Sequence, residues 1–331
     1  MGEPVSYTEL PNVSVVITSR NNEETIGECV TSIVQQDYPA ARLEILLVDA
    51  NSTDNTANIA AESGAKVISL SGNAPQAYNH ALKITCHEIL AFVDSDAKVE
   101  RGWLKKLVRH LDDPKTAGVS GNIETWNNEN PWARAIGYDI KNRYARIGKF
   151  TERVATMNLL LKRSVLEELG GFDEEFPSQY DTELGFRLSA KGYRIAFERS
   201  AMCYHYNRST LNAYWRQQLQ YGKNTVRLYF KYASLAKGDE ITDFGMNIQP
   251  LLILVAIGFF FLGIVESLRA VWYVSAFVLL VMLLYFVFSA ARTTAKFHDR
   301  LVMRLVVLYY VRSFAWLVGA GTTAANVLRG R

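Results

Sequence analysis

The stretch Ala91-Phe92-Val93-Asp94-Ser95-Asp96-Ala97 joins a short apolar run to two carboxylates that stand one residue apart. Residues 89–93 are continuously apolar, which is typical of a parallel strand buried on both faces. Asp94 and Asp96 then leave the strand at its carboxyl end, where open α/β sheets bind ligands, and alternation points both side chains the same way. Such a pair suits a Mg²⁺ or Mn²⁺ ion shared with the phosphates of a substrate.

The chain before this stretch alternates between strand and helix patterns. Apolar runs predict strands at 13–18, 43–48 and 66–69, and helical spacing of apolar residues predicts helices at 25–36 and 75–85. This alternation predicts parallel βαβ units, and therefore an α/β domain with a mostly parallel sheet flanked by helices.

A dinucleotide-binding oxidoreductase is the rival interpretation of this pattern. The first strand is followed by Ser19-Arg-Asn-Asn-Glu-Glu24 instead of Gly-x-Gly-x-x-Gly. Without those glycines a pyrophosphate cannot approach the turn closely. The sequence therefore argues against a dehydrogenase.

The hydrophobic residues, 49% of the 331, are unevenly spread along the chain. Residues 1–235 have the mixed composition of a soluble domain, whereas residues 236–331 contain three apolar stretches at about 248–265, 271–291 and 305–328. Stretches of this length predict transmembrane helices. Arg312 interrupts the third stretch, which either spans the bilayer with Arg312 facing its neighbours or lies at the interface.

Basic residues suggest how the chain is oriented in a membrane. Arg292, Lys296, Arg300 and Arg304 follow the second apolar stretch, and cytoplasmic segments carry such an excess of cations. The first ten residues lack a basic region followed by an apolar core, so we expect no signal peptide. We therefore expect a multi-pass protein of the cell membrane with its soluble domain in the cytoplasm.

Net charge and cysteine content exclude other classes. The formal charge of +3, without basic runs interleaved with aromatics, does not indicate nucleic-acid binding. The three cysteines are odd in number and far apart, which argues against a disulfide framework and against a zinc cluster.

Several ordered motifs resemble those of the family 2 glycosyltransferases, which have the Rossmann-like GT-A fold. The motifs fall within roughly residues 12–232 and include Val15-Val-Ile-Thr-Ser-Arg-Asn-Asn-Glu23, Leu47-Val-Asp-Ala-Asn-Ser-Thr-Asp-Asn-Thr56, Phe92-Val-Asp-Ser-Asp96, Gly170-Gly-Phe-Asp-Glu174 and Asp181-Thr-Glu-Leu-Gly-Phe-Arg187. The resemblance implies a GT-A domain followed by the membrane helices.

The resemblance also implies which residues bind the donor. In the family, the loops after the first two strands hold the nucleotide base and ribose. Carried over, the donor-binding candidates are Ser19, Arg20, Asn21, Glu23, Asp49, Asn51, Ser52 and, at the ribose, Asp94. Arg20 either stacks its guanidinium on the base or is an ordinary surface arginine. The stretch from Asn51 to Asp54 is equally typical of a turn and a helix cap.

The same resemblance assigns the metal ligands and the base. Asp94 and Asp96 look like the family's metal motif, and His205 stands where several members place a histidine ligand, although lone histidines are more often structural. Asp181 stands at the general base, with Tyr180 where the family usually has glutamate. The alternative interpretation of Asp181 is a charge at the start of a helix.

Acceptor or diphosphate contacts are assigned by position and chemistry. Gly121 is interpreted as a turn at a strand end, and Trp126 as a platform for a sugar. Glu183 is interpreted as structural or acceptor-binding. Gln217 and Tyr221 lie in a segment that resembles a Gln-x-x-Arg-Trp motif, with the arginine and tryptophan replaced, and one polar face of an amphipathic helix explains them equally well.

These expectations converge on a membrane-bound, inverting glycosyltransferase that uses Mn²⁺ or Mg²⁺. The donor is a nucleoside diphosphate sugar, UDP-linked rather than GDP-linked in the favoured version, and the acceptor is a lipid-linked or membrane-proximal saccharide. The arrangement resembles that of the succinoglycan-type exopolysaccharide transferases. The alternatives are a polyprenyl-phosphate sugar synthase and a catalytically inactive membrane scaffold.

Overall fold

A computed structural model describes residues 10–328 of the chain. The prediction of no signal peptide rests mainly on residues 1–9, which lie outside this range. The described residues divide into two compact units. The first unit contains Arg146–Tyr206 and the described residues up to Trp126, and the second contains Asn127–Ala145 and the described residues from Asn207 onward.

The first unit is an α/β domain built on one mixed sheet. In the described part of the chain the sheet has nine strands: β1 Val13–Ser19, β2 Leu43–Asp49, β3 Lys66–Ser69, β4 Ile89–Phe92, β5 Ala97–Val99, β6 Thr116–Thr125, β7 Phe150–Thr151, β8 Leu159–Lys162 and β9 Arg194–His205. The helices of this unit are α1 Ile26–Val34, α2 Thr56–Glu62, α3 Ala74–Ile84, α4 Trp103–Val108, α6 Arg163–Glu168 and α7 Tyr180–Ala190.

The sheet has the strand order β3-β2-β1-β4-β8-β6-β9-β5, with β7 paired to β9. The first four strands pair in parallel, whereas β4 with β8, β8 with β6, and β5 and β7 with β9 pair antiparallel. Parallel pairing returns between β6 and β9. The structure thus confirms the predicted fold class. Most of the parallel pairing lies among β1 to β4, the first four strands along the chain.

Both faces of the sheet are covered. Val13, Val15 and Ile17 of β1 pack on the side of α1 and α4, whereas Val16 between them packs on the side of α3 and α6. A strand buried on both faces is continuously apolar, which is why the runs that preceded Ser19, Asp49 and Asp94 were recognisable as strands. The first polar residues after these strands lie together at one edge of the sheet.

The second unit is helical. It contains α5 Pro131–Tyr144, α8 Leu211–Lys231, α9 Phe244–Leu262, α10 Trp272–Phe297 and α11 Arg304–Leu328. Among the described residues, three segments are long and apolar enough to cross a bilayer: Phe244–Leu262, Glu266–Phe297 and Arg304–Asn326. They correspond to the three predicted apolar stretches. This division also places residues 127–145 and 207–235, which were expected in the first domain, with the apolar helices.

Close packing joins α8 to α11 within this unit. A Cβ atom on Gly222 would lie 2.6 Å from the Cα of Trp316, and one on Gly319 would lie 2.5 Å from the carbonyl oxygen of Leu219. The indole Nε1 of Trp316 donates a hydrogen bond of 3.0 Å to Gln218 Oε1. Glycine is therefore required at both positions, because a side chain would force the two backbones apart.

Arg312 of α11 is buried and faces neighbouring helices. Its guanidinium lies 3.4 Å from Asp139 Oδ2 on α5 and 3.3 Å from Gln249 Oε1 on α9. Arg143, one turn after Asp139, contacts the same carboxylate at 3.0 Å. The residue that interrupts the third apolar stretch is thus accommodated by polar partners on two other helices.

Candidate active site

The two carboxylates of the opening stretch meet a histidine through strand pairing. Asp94 and Asp96 lie between β4 and β5, and Ala97 of β5 pairs with His205, the last residue of β9. One ligand atom from each of Asp94, Asp96 and His205 lies within 4.8 Å of the others. His205 Nε2 is 3.3 Å from Asp96 Oδ1.

This cluster carries an excess of buried negative charge. Burial, and after it the charge of the neighbouring Asp96, raise the pKa of Asp94 to about 7, although His205 opposes the shift. Two carboxylates and one imidazole held at these distances are a fitting donor set for Mn²⁺ or Mg²⁺, which prefer oxygen ligands and accept imidazole. The grouping of the three residues predicted from the sequence is therefore present.

Asp181 lies in the first turn of α7, and its carboxylate Oδ1 accepts a 2.7 Å hydrogen bond from the backbone N–H of Thr182. Burial raises its pKa, although Arg153 and Thr182 oppose the shift. The charge of Asp181 contributes to the raised pKa of Asp94. Asp181 thus acts electrostatically on Asp94, one of the metal candidates, and a carboxylate with a raised pKa suits proton abstraction.

The loops that follow β1 and β2 are joined to each other. Asn21 donates its backbone N–H to Ser52 Oγ at 2.9 Å and accepts from the N–H of Thr53 at 2.8 Å. Glu23 accepts from the N–H of Asn55 at 3.0 Å. Asn21 and Asn51 both have a φ of 54°, a left-handed conformation that asparagine tolerates.

Below these loops, Ser19 and Asp49 are paired in register at the ends of β1 and β2, and both are buried. The carboxylate of Asp49 accepts hydrogen bonds from the hydroxyl and the N–H of Ser52, at 2.5 and 2.9 Å. Arg20 is exposed beside them. Of the donor-binding candidates after the two strands, Asn21, Glu23, Asp49 and Ser52 are therefore held by hydrogen bonds within these loops.

Two acceptor candidates occupy places that differ from their interpretation. Gly121 does not mark a turn, because β6 continues through it with a register shift against β9. A Cβ atom there would lie 2.4 Å from the side chain of Asn158, so glycine permits close packing. Glu183 is fully buried and binds Arg187 through both oxygens, at 2.9 and 2.8 Å, which favours the structural alternative.

Trp126 lies beside the candidate metal ligands. Its backbone N–H donates to the carbonyl of His205 at 2.8 Å, and its ring meets Tyr206 edge to face with centroids 5.8 Å apart. Lys98 Nζ lies 4.2 Å from the centre of the indole. A half-buried tryptophan at this position is a suitable surface for a sugar ring.

Gln217 and Tyr221 lie on α8 in the second unit and are both half-buried. Their neighbour Gln218 is the buried glutamine of this segment. The role of Gln217 and Tyr221 in acceptor or diphosphate binding stays a prediction.

Sequence reasoning missed the supporting role of Asn158. This residue is fully buried, accepts from Trp103 Nε1 at 2.7 Å, and donates to the carbonyls of Asn122 and Ala201 at 2.8 and 3.1 Å. It thereby joins α4, β6 and β9, the strand that ends at His205. The available signal was an asparagine directly before the three leucines at 159–161, where only a fully hydrogen-bonded amide is tolerated.

Comparison with known proteins places these features in context. Residues 14–170 match the model of the Glycosyl transferase family 2. The chain is 26% identical over 345 residues to the probable glycosyltransferase YdaM of Bacillus subtilis, covering 94% of this chain and 81% of that protein. It is 27% identical over 229 residues to the glycosyltransferase AglE of Haloferax volcanii, covering 66% and 75% of the two chains.

A solved structure shares the fold over nearly the whole chain. It is the mannosyltransferase PcManGT from Pyrobaculum calidifontis in complex with GDP-Man and Mn²⁺. The TM-score is 0.59 at 21% sequence identity, with 98% of this chain and 89% of that chain covered. At this identity the similarity supports the GT-A fold.

Proposed function

We propose that this glycosyltransferase is a metal-dependent, inverting and membrane-bound enzyme. Its residues 14–170 match the model of the Glycosyl transferase family 2, and its fold is of the GT-A type. It moves a sugar from a nucleoside diphosphate sugar to a lipid-linked or membrane-proximal saccharide. The observation that carries the proposal is the meeting of Asp94, Asp96 and His205 in one cluster, in which His205 is buried and both carboxylates are half-buried, and whose Asp94 also interacts with the charge of Asp181.

The three clustered residues hold the divalent ion in this proposal. Bound there, Mn²⁺ or Mg²⁺ supplies a Lewis acid for the charge that develops on the departing diphosphate. Asp94 and Asp96 provide oxygens, and the imidazole of His205, held by the backbone pairing of β5 with β9, provides nitrogen. The half-buried position of the two carboxylates strengthens their attraction for a cation relative to fully exposed ones.

Asp181 takes the proton of the acceptor hydroxyl. As the proton moves to its carboxylate, the acceptor oxygen forms a bond to the anomeric carbon, and the bond to the diphosphate breaks on the opposite face. The raised pKa of Asp181 favours proton transfer to it. A single displacement of this kind inverts the configuration of the sugar.

The joined loops after β1 and β2 bind the nucleotide. Ser19, Asn21, Glu23, Asp49, Asn51 and Ser52 supply hydrogen-bonding groups, and Arg20 stacks on the base. Asp94 additionally contacts the ribose. The mutual hydrogen bonds of the loops support this assignment, because they fix the loops before the donor arrives. A UDP-sugar is favoured, and a GDP-sugar is the second choice.

Three apolar helices support a membrane-associated acceptor and a multi-pass anchor. Arg292, Lys296 and Arg300, all exposed, lie at the end of α10 and in the connection that follows it. The connection between α9 and α10 instead contains a balanced pair, Arg269 with Glu266 at 3.5 Å. This asymmetry supports a cytoplasmic location for the catalytic domain.

Transfer by the detergent-purified protein tests the proposal. The enzyme is incubated with a panel of UDP- and GDP-sugars, membrane lipid extract and Mn²⁺, beside Asp96→Ala, Asp181→Asn and the exposed control Asp37→Asn. We expect release of one nucleotide by the wild type and the control, and loss of turnover by about 10³-fold in Asp181→Asn.

Two results contradict the proposal in different ways. If Asp181→Asn transfers as fast as the wild type, the acceptor needs no base, and the polyprenyl-phosphate synthase replaces the saccharide transferase. If the wild type neither turns over nor binds any donor with Mn²⁺, the protein is the inactive scaffold.

A further inference from the structure

A buried threonine hydroxyl lies directly behind Asp94. Thr156 belongs to the short 3₁₀ turn Thr156–Asn158 that precedes β8, and it is 3% exposed. Its Oγ1 donates a 3.1 Å hydrogen bond to Asp94 Oδ1. The same Oγ1 lies 3.4 Å from the hydroxyl of Tyr180, the residue that begins α7 and precedes Asp181.

The direction of these hydrogen bonds follows from the number of protons. Thr156 has one hydroxyl proton, and Asp94 as a carboxylate only accepts. When Thr156 donates to Asp94, its oxygen is left to accept, so Tyr180 is the donor of the second bond. Burial raises the pKa of Tyr180, which keeps its hydroxyl protonated for this purpose.

The ring of Tyr180 is held by an aromatic cluster. Its centroid lies 5.8 Å from that of Tyr78 and 5.9 Å from that of Phe172, and Tyr78 meets Phe92 of β4 edge to face at 5.2 Å. The hydroxyl of Tyr78 accepts from Thr18 of β1 at 3.3 Å. The phenol above Thr156 therefore has little freedom to move.

We infer that Thr156 is a positioning residue, which fixes the carboxylate of Asp94 for the divalent ion and couples it through Tyr180 to the helix start that carries Asp181. With Oδ1 engaged by Thr156, the rotation of the carboxylate is set and Oδ2 remains for the ion or the substrate. The inference rests on the proposed function. It adds two residues of this chain, Thr156 and Tyr180, to the machinery of that function.

Mn²⁺ binding to the full-length protein in detergent is the primary readout. We compare Thr156→Val, which keeps the shape and removes the hydroxyl, with Thr156→Ser, which restores the hydroxyl. Thr85→Val is the matched control, because Thr85 is equally buried and its hydroxyl donates to the carbonyl of Ala81 at 2.7 Å.

Titration of Mn²⁺, followed by electron paramagnetic resonance of the free ion, gives the dissociation constant. We expect Thr156→Val to weaken binding about 10-fold or more, whereas Thr156→Ser and Thr85→Val stay within about 3-fold of the wild type, since ligand-orienting contacts contribute on this scale. Tyr180→Phe should lower kcat about 5-fold while KM for the donor stays constant, because the start of α7 is then coupled less firmly.

The outcomes separate the inference from the proposed function. If the wild type shows Mn²⁺-dependent turnover and Thr156→Val binds Mn²⁺ as tightly as the wild type, the inference is overturned and the proposed function stands. If the wild type binds no Mn²⁺, the inference and the metal-dependent function both fail. Should Thr156→Val not fold, Thr156→Ala is titrated in its place, and the same thresholds decide.

Discussion

Each of the two units of the molecule contains a group of charged side chains with little exposure to solvent, and the two groups differ in net charge. In the first unit, Asp94 and Asp96 lie with one histidine, and burial raises the pKa of Asp94 to about 7. In the second unit, the single carboxylate of Asp139 lies between Arg143 at 3.0 Å and Arg312 at 3.4 Å. The first group has an excess of negative charge, whereas in the second group two arginines compensate the charge of the carboxylate.

This difference separates a ligand site from a structural contact. Placing like charges together inside a protein costs free energy, and such an arrangement is retained where a bound ion supplies the missing charge. A carboxylate already bound by two guanidinium groups has no comparable need for an ion. Removing any one side chain from such a group lowers the stability of the protein, because the remaining charges would be buried without partners.

The largest effect is expected at the unbalanced group. Asp96→Asn removes a charge that a bound cation requires, so turnover should fall by about 10³-fold or more. In the absence of metal the same change relieves repulsion between Asp94 and position 96, so the midpoint of thermal unfolding should stay constant or rise. Kinetics with Mn²⁺ and thermal unfolding with a chelator test both parts. A fall in both quantities would show that Asp96 is structural.

The next largest effect is expected at the balanced group. Arg312→Met leaves the buried carboxylate of Asp139 with fewer cations, and breaking such a buried pair typically costs about 3–5 kcal/mol. Unfolding of the detergent-solubilised protein measures this loss, and Arg269→Met, in an exposed pair with Glu266, is the control. If both variants unfold alike, the buried group contributes no more than a surface pair.

Much of the first unit could be predicted because its signals are local. The apolar runs before Ser19, Asp49 and Asp94 are each buried on both faces, so the strands and their polar ends could be recognised without knowledge of their partners. The structure places these ends at one edge of the sheet. The three apolar helices were equally recognisable, since length and composition alone define them.

The remaining features depend on distant pairing, which no local pattern contains. Gly121 was interpreted as a turn because the opposite register shift in β9 could not be foreseen. Arg312 was visible as an interruption, but its partner Asp139 lies 173 residues away. Thr156 gave no signal, because a single threonine before a strand has no distinctive spacing.

Glu198 is a carboxylate of the first unit whose charge is compensated by neighbouring cations. It tests whether charge compensation, rather than location in one unit or the other, makes a carboxylate structural. Burial opposes ionisation of Glu198, but hydrogen bonds from Ser200, Arg109 and His110 outweigh it and lower its pKa. Because the folded pKa lies below the unfolded value, its stabilisation is present above about pH 4.3 and is lost as the pH falls further. Glu198→Gln should therefore cost about 2 kcal/mol at pH 7 and progressively less towards pH 3.

Thermal unfolding of the wild type and Glu198→Gln across this pH range gives the difference directly. A penalty that stays constant with pH would mean that the shape of the side chain, not its charge, is what matters. Turnover at pH 7 should remain near the wild-type level, since the partners of Glu198 are Arg109, His110 and Ser200, none of which is a candidate for catalysis or binding.

The smallest effect is expected where a balanced pair is exposed. Glu28 lies 2.8 Å from Lys98 Nζ, but its side chain is 62% exposed, so water screens the attraction. Glu28→Gln should change the free energy of unfolding by less than about 0.5 kcal/mol and leave kcat/KM unchanged. Lys98 keeps its place 4.2 Å from the ring centre of Trp126 in this variant, so the surface offered to a sugar is preserved. A loss of stability comparable to that of Arg312→Met would show that charge balance stabilises this protein irrespective of burial. If no effect is seen, as expected, a charged group stabilises this protein only when it is both buried and compensated by opposite charge. The candidate metal site lacks that compensation.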